Sequence, residues 1–277
     1  MSGLKKSLTV ILRILGVCGL AVLLGAGWYC LEAVEPTGEA KAVFAGTAED
    51  ADCTILLSSG SCVLIDTGEA ADASHIKALL REYGAEQIDC MILTHPDKDH
   101  IGGASALLEE FTVAQMIVPY FSGEKEAYEL LLAQAGQLRV PVQTLSRDRQ
   151  YRFGEWDIRV FPPEKFYYEK TNEYSLAVLA EHGESRMFLA DDAQKERMQE
   201  LLGLKLSDMD VYKAAHHGRD SKECIEMIEK LKPEYGIVTA KKPEKKTREA
   251  FETAGSRIIC TVPEDVTFIS DGRTIHP

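Results

Sequence analysis

The sequence predicts a mixed α/β domain, two β-sheets packed face to face with helices outside, preceded by one membrane-spanning helix. Three observations point there. Apolar strand-like runs occur both as hairpins and as strand–helix alternations, in two similar series along the chain. The 277 residues, 45% of them hydrophobic, can fill one large core. Residues 14–31 run eighteen positions without a charge, behind Lys5, Lys6 and Arg13.

As a helix that run reaches about 27 Å, close to a bilayer's hydrocarbon thickness. Basic residues before it, with Glu32 and Glu35 after it, put residues 1–13 in the cytoplasm and the body outside, as a single-pass protein of the cell membrane. A cleaved signal peptide, giving a secreted form, is the competing reading. The long apolar stretch and the lack of a clean A-x-A site favour the uncleaved anchor. Residues 32–40, with Pro36 and Gly38, read as a linker and 41–277 as the domain. Net charge is −13, and without residues 1–31 the body carries 28 basic against 44 acidic side chains. Such a body has no bulk attraction for nucleic acid or an anionic surface, so nucleic acid is not favoured as a partner. A phosphate-bearing substrate would have to be held by metal ions and local cations. The seven cysteines form no CxxC pair, and the five beyond residue 31 read as buried free thiols.

Residues 53–57 and 62–65 flank Ser58-Ser59-Gly60-Ser61, a hairpin pattern that ends in Asp66-Thr67-Gly68, with a carboxylate at the strand tip. Residues 72–83 place Ile76, Leu79 and Leu80 on one helical face, and Gly84 closes it. A strand at 88–93 follows, then helices at 103–110 and 124–137 around a strand at 115–118, the second helix amphipathic through Leu130, Leu131 and Leu132. Strands are predicted at 142–145, 151–153 and 156–161, and a hairpin at 175–180 and 186–190 over His182-Gly183-Glu184. Asp191-Asp192 opens a helix to about 202. Strand 211–214, helix 222–231, strand 235–239 and helix 245–254 then alternate, and strands 257–261 and 266–269 close the chain, with Asp271-Gly272 its last turn.

The chemistry concentrates in residues 91–103, M-I-L-T-H-P-D-K-D-H-I-G-G. An apolar run ends in His95, Asp97, Asp99 and His100, followed by Gly102-Gly103, which suit a sharp turn into a helix. Two carboxylates this close repel, and burying them unpaired costs more. A divalent cation draws imidazoles and carboxylates onto one point and resolves both. Two other apolar strands end in Asp191-Asp192 and in His216-His217. Polar groups at several strand ends, far apart in sequence, are how a fold assembles a site at one sheet edge.

H-P-D-K-D-H-I-G-G resembles the HxHxDH signature of the metallo-β-lactamase fold, with Asp97 in place of the second histidine. With V-L-I-D-T-G, F-L-A-D-D-A and K-A-A-H-H-G-R-D-S, it is similar to the hydrolase domain of ComEC-type competence proteins. The resemblance implies a four-layer αββα sandwich with a metal site at one edge. It implies one divalent ion on His95, Asp97 and Asp192 and a second on Asp99, His100, Asp192 and His217, with Asp192 bridging. Zinc is the preferred metal, and manganese is compatible with the carboxylate-rich set. Asp99 and His216 are the residues implied in the chemistry, His216 facing the substrate or leaving group. Sequence alone does not decide which of His216 and His217 ligates. Asp66 would hold a ligand imidazole from behind, and Asn172 and Ser175 match an N-x-x-S element of the same group. A usual Gly-Asp is Asp191-Asp192 here, and a usual G-H-P element is replaced by 240–246, A-K-K-P-E-K-K. His182 alone stands where an extra ligand histidine could come from. The function expected is hydrolysis of small or polymeric phosphodiesters or phosphoesters. The alternatives are hydrolysis of choline-phosphate or other wall-linked esters, and a metal-binding module without turnover.

Overall fold

Neighbouring side chains of a strand face opposite ways, so a strand apolar on both faces must be covered twice. The hairpin Thr54–Ser58 and Ser61–Ile65 is of that kind. Leu56, Val63 and Ile65 enter one apolar cluster, while Ile55 and Leu64 enter another on the opposite face. The structure, a computed structural model, describes residues 38–48 and 50–277. The expected membrane helix at 14–31 lies outside them. Among the described residues no helix is long and apolar enough to cross a membrane.

The first sheet has eight strands, in the order Ile275–His276, Val266–Ser270, Ala40–Phe44, Thr54–Ser58, Ser61–Ile65, Cys90–Ile92, Met116–Pro119 and Val142–Leu145. The second has seven, in the order Arg257–Cys260, Tyr235–Val238, Val211–Lys213, Ser185–Leu189, Ala177–His182, Trp156–Phe161 and Arg149–Phe153. Side chains of both sheets share the layer between them, Phe44, Ile92 and Phe268 from the first and Ile158, Leu189 and Ile237 from the second. Helices Ala73–Glu82, Ala104–Leu108 and Glu126–Gln137 cover the outer face of the first sheet. Helices Lys195–Gly203, Lys222–Leu231 and Lys245–Ala254 cover that of the second. The layers are therefore α, β, β, α, as expected.

Some elements differ from the sequence pattern. Ala40–Phe44 starts inside the stretch read as linker, and its Ala-rich sequence has weak strand preference. Pairing with strands on both sides overrides that preference. The strand expected at 88–93 is split at Asp89, whose carboxylate accepts from Cys62 N. Helix Glu126–Gln137 buries Tyr128, Leu131 and Ala135 rather than a leucine triplet, and Leu130 is 63% exposed. Cys53, Cys62, Cys90 and Cys224 are free and buried, and Cys260 is free but half-buried.

One feature of topology positions the site. Strands Ser61–Ile65, Cys90–Ile92 and Met116–Pro119 run parallel in the first sheet. Ser185–Leu189, Val211–Lys213 and Tyr235–Val238 run parallel in the second. Parallel neighbours bring their C-terminal ends to a common edge, where crevices form.

Candidate metal centre

That edge collects Asp66, His95, Asp191-Asp192, His216-His217 and Thr239, each just beyond a strand's end. The backbone there is shaped tightly. Asp66, Asp191, His216, His217 and Gly218 have φ of 58, 47, 50, 57 and 80°. Left-handed conformations cost non-glycine residues free energy and persist where the surroundings fix them. His216 N donates to Asp191 O at 2.7 Å, tying two strand tips together. The Gly-Asp departure falls at left-handed Asp191, a position that suits glycine. Gly102 and Gly103 serve a different purpose from the expected turn. Both have ordinary negative φ. A Cβ at Gly102 would lie 2.5 Å from Ala70 N, and one at Gly103 would lie 2.3 Å from Thr67 O. They let the 95–103 segment press against the loop after Asp66, where Thr67 N donates to His100 O at 2.7 Å.

Asp192 is the hub. Its Oδ1 lies 3.4 Å from His100 Nε2 and 3.2 Å from His217 Nε2, and Asp99 Oδ2 is 3.7 Å from both rings. Its Oδ2 lies 3.9 Å from His95 Nε2 and 3.9 Å from His216 Nε2, and Asp97 Oδ2 is 3.7 Å from His95 Nε2. One carboxylate thus turns each oxygen to its own set of ligand-type atoms. The atoms of Asp99, His100, Asp192 and His217 all lie within 4.8 Å of one another. Around a metal with bonds of about 2.1 Å, tetrahedral neighbours sit roughly 3.4 Å apart. The separations match that edge length. His95 Nε2, His100 Nε2 and Asp192 Oδ1 are buried without a hydrogen-bond partner. Buried polar atoms left so are costly, and a cation shared among them removes the cost. The residues fit divalent metal.

The far ring nitrogens are held by protein. His100 Nδ1 is 2.6 Å from Asp66 Oδ2, His217 Nδ1 2.9 Å from Thr239 Oγ1, and His95 Nδ1 3.2 Å from Thr94 Oγ1. Such partners fix the ring and leave Nε2 turned inward. Asp66 also accepts from Thr94 N at 2.7 Å and Thr94 Oγ1 at 2.6 Å. Burial opposes a proton on His100, but Asp66 and Asp192 together hold its pKa well above the ordinary value. Burial likewise opposes charge on His217, yet Asp192 and Asp52 lift it to about 11. On His95 burial and the neighbouring His100 outweigh the carboxylates, and the pKa falls to about 4. Asp192 stays well below the carboxylate range, since His100 and His217 overcome its burial.

Beside this cluster lies a second buried charge group. Lys213 Nζ is hydrogen-bonded to Asp52 Oδ2 and lies 3.1 Å from Asp191 Oδ1, all three side chains 1% exposed. Burial works against the ammonium, but Asp191 and Asp52 keep it well above the usual lysine value. Asp191, buried and only partly relieved by Lys213, rises to about 7.

The sequence profile of the metallo-β-lactamase superfamily matches residues 46–235 of the 277. The chain belongs to the metallo-β-lactamase superfamily. It is 25% identical over 277 residues to ComE operon protein 3 of Bacillus subtilis (strain 168), covering 93% of this chain and 36% of that protein. It is 23% identical over 193 residues to Recombination protein 2 of Haemophilus influenzae, covering 68% and 22%. This chain therefore spans well under half the length of either relative. The metallo-β-lactamase fold protein YhfI from Bacillus subtilis superposes with a TM-score of 0.58 at 13% identity, over 84% of this chain and 100% of that one. CmlA, a diiron β-hydroxylase from Streptomyces venezuelae, gives 0.52 at 14% identity, over 85% and 55%. These likenesses show a shared fold. The resemblance drawn from the motifs holds: the chain has the metallo-β-lactamase superfamily fold and is similar to competence proteins.

Within this superfamily member the structure brings His95, Asp97, Asp99, His100, Asp192, His216 and His217 together at one edge. Asn172 joins them, its Nδ2 donating to Asp192 Oδ2 at 2.7 Å. Ser175 does not reach the cluster's ligand atoms by any hydrogen bond; its Oγ donates to Asn172 O and closes the turn that presents Asn172. Asp191-Asp192 does not cap a helix, because the next one starts at Lys195 behind Gln194. His182 ends its strand at the opposite edge, with Nδ1 2.9 Å from Ser270 Oγ and its ring against Trp156, so it supplies no extra ligand. Sequence reasoning passed over Asp52, Thr94, Lys213 and Thr239. A lysine inside the apolar run V-Y-K-A-A was the available signal, since a buried lysine demands acid partners.

Proposed function

We propose that this chain is a membrane-anchored, outward-facing hydrolase of phosphodiesters or phosphoesters, working with two divalent ions, zinc by preference with manganese compatible. The observation that carries the reading is Asp192, whose two oxygens face two separate ligand sets while Oδ1 is buried and unpaired. His95, Asp97 and Asp192 would hold one ion, with His216 beside it; Asp99, His100, Asp192 and His217 would hold the other. Bound ions of this kind lower the pKa of a coordinated water and stabilise an oxyanion. The chain's own residues do the positioning. Asp66 and Thr239 fix the rings of His100 and His217 with Nε2 inward. His216, a quarter exposed and next to the hub carboxylate, would face a substrate or its leaving group. The preference for phosphoesters over other esters rests on likeness to the competence-type hydrolase domain. The anchor rests on the uncharged run at 14–31 and the charges flanking it.

Elemental analysis of the purified chain, paired with turnover of bis-p-nitrophenyl phosphate, tests the enzyme reading. Two ions per chain are expected, with turnover reduced about a thousandfold in Asp99→Ala, as for loss of a metal's contribution to the transition state. Metal bound with no turnover of any phosphoester would leave a binding module instead. For the anchor, protease added to intact cells should remove the 41–277 body; a body left untouched by protease sinks the outward orientation.

A further inference from the structure

The two ligand sets around Asp192 differ in what else their members touch. In the Asp99, His100 and His217 set, His100 Nε2 and Asp192 Oδ1 have no hydrogen-bond partner and face the other ligands at 3.2–3.7 Å. In the His95 and Asp97 set, His95 Nε2 is likewise unpartnered, but three side chains are already engaged. Asn172 Nδ2 donates to Asp192 Oδ2 at 2.7 Å, and Gln194 Nε2 lies 3.0 Å from His216 Nδ1. The third contact is of another kind: Lys125 Nζ donates to Asp97 Oδ1 at 2.7 Å. It sets a full positive charge on a carboxylate whose other oxygen is 3.7 Å from His95 Nε2.

Lys125 also breaks a local rule. It is the N-cap residue of helix Glu126–Gln137, with extended φ of −140° and no side-chain capping bond. That position favours Ser, Thr, Asp or Asn, which can accept from the free N–H groups, and a cation there opposes the helix dipole. The acids Glu126 and Glu129 of the first turn follow the rule that Lys125 breaks. Local conflicts of this sort concentrate at functional sites.

We propose that Lys125 is a built-in counter-ion of the His95–Asp97 half-site, which a second metal ion must displace from Asp97, so that the two half-sites fill in sequence. The side chains are 41% and 22% exposed, so the ammonium can swing to water on its flexible stem when a divalent ion arrives. The first ion enters the Asp99, His100 and His217 set, where no lysine stands on a ligand. The inference deepens the two-ion reading above and rests on it.

Titration of the full chain, stripped with chelator, with Zn2+ alone reads both stepwise dissociation constants by calorimetry. In Lys125→Met the second constant should tighten about fivefold or more, the scale of a half-exposed ion pair plus the loss of a like charge. The first constant should hold within about twofold, because that half-site does not touch Lys125. Lys125→Arg keeps the charge and adds a donor to Asp97, so it should keep or widen the gap. A second constant unmoved in Lys125→Met, or both constants moving together, overturns the proposal while leaving two-ion binding intact. A chain that takes up no Zn2+ in any of the three forms overturns the metal reading itself and this inference with it.

Discussion

Two acid clusters lie side by side at the same sheet edge, and they are compensated differently. Asp52 and Asp191 share the ammonium of Lys213. Asp99 and Asp192 face His100 and His217. A lysine held well above its ordinary pKa is a permanent cation at any physiological pH. A histidine is not: its proton can be exchanged for a metal ion on the same nitrogen. The fold therefore places fixed charge where the sheets must be joined and exchangeable charge where a ligand must enter. Lys213 carries out the joining directly, since Asp52 precedes a strand of the first sheet while Asp191 and Lys213 belong to the second.

Removing the fixed charge is the harshest way to break this contrast. Lys213→Met should cost about 3–5 kcal/mol of stability, the usual penalty for stranding buried charge of one sign. Urea unfolding of the chelator-stripped chain measures it. A midpoint equal to wild type would show that the two carboxylates need no cation, and that the lysine cluster is no more permanent than the histidine one.

The sequence made the histidine cluster far more legible than the lysine cluster. His95, Asp97, Asp99 and His100 fall within six residues, and that density has few explanations other than metal. Their assembly with Asp192 and His217 could be anticipated because each follows an apolar strand. Lys213, Asp52 and Asp191 come from three segments with no shared pattern, and only the fold reveals their meeting. The sheets themselves were readable where short apolar runs flank a turn pattern, as at 54–65, and helices Lys222–Leu231 and Lys245–Ala254 have the bounds their patterns give. Ala40–Phe44 was hidden because its strand state comes from two neighbours distant in sequence. The purpose of Gly102 and Gly103 was hidden for the same reason, since it lies in backbone atoms of residues 67–70.

A gentler change sharpens the exchangeable side. Asp66 holds His100 at 2.6 Å without lying among the inward-facing ligand atoms. Asp66→Asn keeps the shape but weakens its hold on the ring, and about a 10- to 100-fold loss of affinity for the first Zn2+ is expected, as for other partners that orient metal ligands. The second ion should be affected less, because His95 meets Asp66 only at one remove, through Thr94 Oγ1. Equal losses at both steps would mean that Asp66 supports the whole edge rather than one ring.

The smallest effect is the most specific to histidine, and its sign follows from the pKa shifts. His217 rises from its ordinary 6.5 to about 11, so in the ion-free chain its pairing with Asp192 and Asp52 contributes fully below 6.5 and is lost as pH climbs through about 11. The thermal midpoint of the chelator-stripped chain should therefore fall as pH rises across that window. With Zn2+ bound the order reverses: protons compete for the same nitrogens, so the apparent affinity for Zn2+ should weaken steadily as pH falls below about 11. His100 is also raised, whereas His95, at about 4, already lacks a proton near neutrality. The first ion should accordingly release about one to two protons at about pH 7.5, and the second should release none from His95. Calorimetry in two buffers of different ionisation enthalpy counts them. A first step that releases no proton would mean that His100 and His217 are neutral before metal arrives, and the distinction between fixed and exchangeable countercharge would lose its basis.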